Sequence, residues 1–184
     1  HASGNVMGNE MVGGLLGSGG GIILSSSFAS GSVSGSKYIG GLIGFQGWSS
    51  LSESYYNYDE VLINDQHLIT IGALTSELYN DWEDNNMSLD VRDYLLYDGE
   101  HYLINNVSDF EKLLAFGQNS EYRFLLTASL DLSGRADFYI PYFSGTFNGA
   151  NHCIDGLSVN MPEMAGVGLF GQTYRAVIEA LGVT

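Results

Sequence analysis

Between Val6 and Tyr55 the apolar residues return at a constant interval. A shift of 27 residues lays Val6 on Val33, Val12 on Ile39, Leu15 on Leu42, Leu24 on Leu51 and Phe28 on Tyr55, and carries Gly13-Gly14 onto Gly40-Gly41. Such a period marks a repeat in which each copy buries its apolar side only against its neighbours. The pieces Ile22-Ile23-Leu24, Ser32-Val33-Ser34 and Tyr38-Ile39 are short and β-like, broken by glycine, with too little uninterrupted helix former for a helical repeat. The spacing predicts a parallel β-solenoid in which Val6 over Val33 and Leu15 over Leu42 form inward columns roughly 4.8 Å apart.

After Glu53 the pattern changes. Leu74, Leu78 and Trp82 around Thr75 predict a short helix near 75–83, and residues 108–111 read as a capping box opening a helix with Phe110, Leu113 and Leu114 on its apolar face. Val61-Leu62-Ile63, residues 67–71, Tyr102-Leu103-Ile104 and residues 122–127 read as strands. From Leu130 onward, short strands at 138–140, 145–147, Ile154, 157–159, 168–170 and 176–178 restore the coil. The expected organisation is mainly β: solenoid turns over 1–55, an acidic mixed insertion with short helices over 56–119, and solenoid turns over 120–184 continuing toward a next copy.

Composition sharpens this picture. With 184 residues, 45% of them hydrophobic, the chain can bury a core and is no disordered tail. Six Lys+Arg against 21 Asp+Glu leave a net charge of -15, which argues against nucleic acid and against insertion at an anionic membrane surface. Residues 1–52 carry 14 of the 25 Gly and only Glu10 and Lys37 as charges, whereas 53–121 hold 15 of the 21 acids, so two compositions share the chain. A lone Cys153 offers no disulfide framework. No run of about 18 apolar residues suggests a membrane span. The start, His1-Ala2-Ser3-Gly4, has neither an initiator Met nor the plan of a signal peptide, which suggests a processed chain or an excerpt of a longer one.

The stretches Gly13-Gly14-Leu15-Leu16-Gly17 and Ile39-Gly40-Gly41-Leu42-Ile43-Gly44 resemble the GLUG motif. That repeat occurs in large bacterial and archaeal surface proteins, including adhesins, filamentous-haemagglutinin-like proteins and some immunoglobulin A-cleaving peptidases. Residues 143–157, from Phe143-Ser144-Gly145-Thr146-Phe147 to Ile154-Asp155-Gly156-Leu157, are similar to a segment that often precedes GLUG units, with Asn148 and Ala150 departing from its usual Asp and Gly. The resemblance covers roughly 1–55 and 100–184 and implies a right-handed parallel β-helix at a cell surface.

Val167-Gly168-Leu169-Phe170-Gly171 near the C-terminus repeats the motif once more, and joining end to start puts Leu169 30 residues before the next Leu15, close to the 27 between Leu15 and Leu42. This predicts one period of a tandem array, or a subunit that stacks head to tail on further copies of itself. Uncapped strand edges with an apolar cross-section favour such stacking. The residues expected at the joint are Val6, Val12, Leu15, Leu169, Val177, Ile178 and Leu181.

Catalytic signatures are sparse. There is no H-E-x-x-H, C-x-x-C or Walker loop, Gly31-Ser32-Val33-Ser34-Gly35 places Val where a nucleophile elbow needs Ser, and Gly17 to Gly21 lacks a phosphate-loop Lys. His1, His67, His101 and His152 lack metal-ligand spacing. The acids Asp81, Glu83, Asp84, Asp90, Asp93, Asp98 and Glu100 read as a solvated face. Asp81-Trp82-Glu83-Asp84-Asn85-Asn86 starts like a calcium loop but has Arg92 where the twelfth-position acid belongs. No catalytic, cofactor or metal site is expected. Asn86 and Asn106 head N-glycosylation triplets.

The leading expectation is a non-catalytic building block of an extracellular fibre or of a surface-adhesin stalk. A carbohydrate- or host-binding adhesin module, using Trp48 or Trp82 to stack on glycans, ranks second, and a polysaccharide-acting β-helix enzyme third.

Overall fold

In the computed structural model, residues 1–47, 50–164 and 166–184 are described. Their strands are short because glycines and left-handed residues interrupt them every few positions. The chain divides into two compact units, and the change from one to the other, at Leu89/Asp90, falls inside residues 56–119.

The first unit comprises His1–Leu89 with Met161–Gly166. Strands β1 (Val6–Met7), β2 (Glu10–Gly13), β3 (Leu16–Gly19) and β4 (Ile23–Ser25) form one layer, and β5 (Val33–Ser34), β6 (Lys37–Gly40), β7 (Ile43–Gln46) and β8 (Ser50–Ser52) form a second. Each strand pairs in parallel with its counterpart at a shift of 27, as in Val6↔Val33, Val12↔Ile39, Leu16↔Ile43 and Leu24↔Leu51, and Phe28 bridges Tyr55 at the same shift. The layers approach where they do because glycine lines the contact: a Cβ on Gly14 would lie 2.3 Å from the Gly41 carbonyl oxygen.

The second layer is covered in its turn. Val33 bridges Ile63, the Gly41 amide donates to Thr70 Oγ1 at 3.0 Å, and the Tyr56 ring occupies the space a Gly41 side chain would need. Strand β9 (Tyr56–Asn57) pairs in parallel with β10 (Ala73–Leu74), and helix α1 (Ser76–Asp84) follows. Thr75 caps α1, its hydroxyl accepting from the Leu78 amide at 3.4 Å. The helix buries Leu78, Tyr79 and Trp82, with Trp82 meeting Tyr55 and Phe28 edge-on.

The second unit comprises Asp90–Asn160 with Val167–Thr184. It holds β11 (Tyr102–Ile104), helices α2 (Val107–Glu111) and α3 (Leu113–Phe116), and β12 (Arg123–Leu126), β13 (Leu130–Asp131), β14 (Ile140–Phe143), β15 (Thr146–Asn148), β16 (Cys153–Asp155), β17 (Phe170–Thr173), β18 (Val177–Glu179) and β19 (Gly182–Val183). Three parallel sheets result, ordered β11-β12-β15-β18, β13-β16-β19 and β14-β17. Tyr102, Phe124, Phe147 and Ile178 stand in register across the first of them. Phe110 of α2 closes over this column, packing edge-on to Phe147, Phe138 and Phe170.

Several expectations are corrected. The chain is not a mainly β solenoid but a mixed fold, 36% strand and 12% helix, with no continuous coil. Among the described residues its strands fall into eight separate sheets, six of them two-stranded. The parallel shift is 27 between the first two layers but 17 between Tyr56 and Ala73, 22 between Tyr102 and Phe124, and 31 between Thr146 and Val177, so the 27-residue period does not extend beyond those layers. Residues 67–71 and 157–159 form no strands, and of 61–63 only Ile63 makes a bridge. The cap of α2 is Asn106 rather than Ser108, with Asn106 Oδ1 accepting from the Asp109 amide at 3.0 Å.

Candidate functional site

Among the described residues only β12, β15 and β16 have a strand on both sides, and β5 has β1 and the Ile63 bridge; of the strands paired on one side, β1–β4 in the first unit and β17, β18 and β19 in the second carry under-buried apolar residues. A half-paired strand presents unsatisfied backbone donors and acceptors along its open edge, a template for another strand. Burial follows the pairing. In the first unit Val33, Leu42, Ile43 and Leu51 are buried while their counterparts Val6, Leu15, Leu16 and Leu24 are only half-buried. In the second, Phe147 and Ile154 are 0% exposed, whereas the residues paired to them, Ile178 and Val183, are 41% and 46% exposed. In the first unit Met7 and Ile23 stand 87% and 82% exposed.

The seven residues expected at a joint are not all on these edges. Val6 lies on β1, and Val177 and Ile178 on β18, each on an open edge. Leu15 and Leu181 are half-buried beside β3 and β19. Val12 lies on β2 but is buried, and Leu169 is buried next to β17, its carbonyl accepting from the Ile140 amide at 2.9 Å. Leu16, Ile23, Leu24, Phe170 and Val183 belong to the edges too. The shift of 27 already contained Leu16 and Leu24; Val183 carried no signal except its distance from the motif at Gly168.

Other candidates are placed as follows. Trp82 is fully buried and offers no ring face to a sugar, and Trp48 lies outside the described residues. The Glu53 carboxyl is half-buried, and loss of solvent pushes its pKa up, an effect that the nearby Trp82 indole and Leu89 backbone partly oppose. The Asp81, Glu83 and Asp84 carboxylates sit on α1, not on a loop that could wrap an ion. Among the described residues no three His, Cys, Asp or Glu side chains come together to hold a metal. His67 Nδ1–H donates to the Tyr58 carbonyl at 2.9 Å, His101 lies beside Asp98 and Glu100, His152 is half-buried with its carbonyl accepting from the Gly182 amide, and His1 stacks on Phe28. Cys153 is half-buried against Gly182.

Asn86 is exposed, at a left-handed φ of 56°. Asn106 is exposed but engaged: besides capping α2 it donates from Nδ2 to Asp109 Oδ2 at 3.3 Å. No helix among the described residues is long and apolar enough to cross a membrane. No family model, no curated protein and no solved structure matches the chain. The likeness to GLUG repeats rests on the motif residues alone.

Proposed function

We propose that the chain is a non-catalytic structural element that adds copies of itself edge to edge through its open parallel strands, as a building block of an extracellular fibre or of a surface-adhesin stalk. The observation that carries this is the uncovered layer at β18 and β19. Ile178 and Val183 continue apolar columns whose inner members, Phe147 and Ile154, are fully buried, yet lie 41% and 46% open themselves. Burying that surface against another apolar layer is favourable by about 25 cal/mol per Å2. Pairing the open backbone edge adds direction to an otherwise nonspecific attraction.

The net charge of -15 acts the other way. It keeps separate copies soluble and repels them at long range, so contact is favoured where salt shortens the reach of the repulsion. Sedimentation velocity over a hundredfold range of concentration, at low and at physiological salt, tests the proposal. A mass that climbs with concentration, and climbs further with salt, is expected. A single monomeric species at every concentration and salt refutes it.

A further inference from the structure

We infer that a second copy of this chain docks in one register, with its β3 beside β17, its β4 beside β18 and its Phe28-Ala29 beside β19. This rests on the self-assembly proposed above and adds the partner strands and their alignment.

The first support is a backbone likeness confined to these stretches. β3, β4 and the bridge at Phe28 begin at Leu16, Ile23 and Phe28; β17, β18 and β19 begin at Phe170, Val177 and Gly182, with the same intervals of seven and then five residues. The covered layer repeats them at Ile43, Ser50 and Tyr55. Strand, bend and gap follow in the same order, residue by residue, through 16–30 and 170–184.

The corners coincide as well. Gly21 and Arg175, each five residues into the stretch, have φ of 69° and 54°. Ser26, Glu53 and Ala180, each ten residues in, have φ of 45°, 46° and 50°. Ser, Glu, Arg and Ala do not seek the left-handed region by themselves. Their agreement therefore reflects a common backbone path and not a common residue preference.

The third support is which way the side chains point. Phe170, Ile178 and Val183 pair with the buried Ile140, Phe147 and Ile154, so all three face inward. Leu16 and Leu24 pair with the buried Ile43 and Leu51, and Ala29 is itself buried, so the same positions face inward there. Val177 and Glu179 point outward, as do Ile23 and Ser25. In this register every inward residue meets an inward residue. A slip of one position sets the apolar set of one copy against the solvent face of the other, and a slip of two parts the left-handed corners. Within one chain the layer of β3 and β4 already accepts this stacking from Ile43 and Leu51 on one side, which leaves the other edge for a copy's β17 and β18.

The register is tested with single thiols on a Cys153→Ser background. Val177→Cys chains are mixed with Ile23→Cys chains, and Glu179→Cys with Ser25→Cys, then treated with a short bismaleimide. Val177→Cys mixed with Glu10→Cys is the mismatched pair, and all substituted positions are solvent-exposed. The expected result is heterodimer from both matched pairs in at least tenfold excess over the mismatched pair, alongside a mass that rises with concentration. Concentration-dependent assembly with equal cross-linking of matched and mismatched pairs overturns the register and leaves edge-to-edge assembly standing. A monomer at every concentration, with no cross-linked species, overturns both.

Discussion

Ile178 on β18 stands in parallel register with Phe147 on β15, and although the two share one apolar column Phe147 is 0% exposed and Ile178 41%. The difference separates folding from assembly. Phe147→Ala removes a fully enclosed ring and is expected to cost about 3–5 kcal/mol of stability. Ile178→Lys alters an open edge and should change folding stability by no more than about 1 kcal/mol, while abolishing the rise of mass with concentration. Urea unfolding and sedimentation on the same two variants check both halves.

Trp82 is held by rings on three sides, Phe28, Tyr55 and Tyr79. Trp82→Ala is expected to lower stability by about 3–5 kcal/mol, because no neighbour can fill an indole-sized space. The urea midpoint should fall markedly, and a glycan array probed with the folded wild-type chain should show no signal that depends on this ring.

Gly41 packs against an aromatic face: a Cβ there would come 2.4 Å from the Tyr56 ring. Tyr56 cannot retreat easily, since its hydroxyl donates to the Leu68 carbonyl at 2.6 Å and accepts from the Thr70 amide at 2.9 Å. Gly41→Ala is expected to destabilise by about 1–3 kcal/mol through overpacking. At Gly20, where nothing lies within 4 Å, the same change should stay within about 1 kcal/mol of wild type and can stabilise by restricting the unfolded chain. Denaturant midpoints of the pair decide this.

Glu53 gives a pH signature. Burial raises its carboxyl pKa, so the folded chain holds the proton more tightly than the unfolded one. The stabilisation from that proton is complete below the ordinary value of 4.5 and is lost as pH climbs through the raised folded value. Glu53→Gln keeps the shape without the charge. Its melting temperature should exceed that of wild type at pH 7, with the gap closing toward pH 4. A gap that widens on acidification contradicts this assignment.

Ala180 occupies a left-handed corner at φ 50°. Ala180→Gly is expected to stabilise the second unit by about 1 kcal/mol, because glycine meets no steric penalty there. Hydrogen exchange at the Asn151 amide, which donates to the Ala180 carbonyl at 2.8 Å, should slow accordingly.

The pairing of the first two layers could be read from residues alone, because Val6, Val12, Leu24 and Phe28 each have an apolar counterpart at the same distance and parallel strands put such counterparts side by side. Repetition speaks only of neighbouring layers, however. It does not say how far the stack runs: the period of 27 gives way to shifts of 17 to 31, and the strands fall into separate short sheets in place of the continuous coil inferred from it. Residues 67–71 look like a strand by composition, but the Thr70 amide goes to the Tyr56 hydroxyl and the Thr70 carbonyl accepts from Ala73 in a turn. That tyrosine lies 14 residues away, and nothing local signals the contact. Asp81, Glu83 and Asp84 read as a solvated face, and Glu83 and Asp84 are exposed on α1 while Asp81 is half-buried. Of the residues expected at a joint, Val12 and Leu169 are buried, whereas Ile23 and Val183, which the motif did not mark, are exposed.

Among the described residues all pairings between β1 and β19 run parallel. A twofold dimer joins identical patches, but β17–β19 meeting β3 and β4 is a union of unlike ones, so it cannot terminate by symmetry after two members. Any polymer built this way has a front and a back with different growth rates. Chains blocked at β18 would still cap one extremity of a growing fibre while leaving the opposite extremity free to elongate.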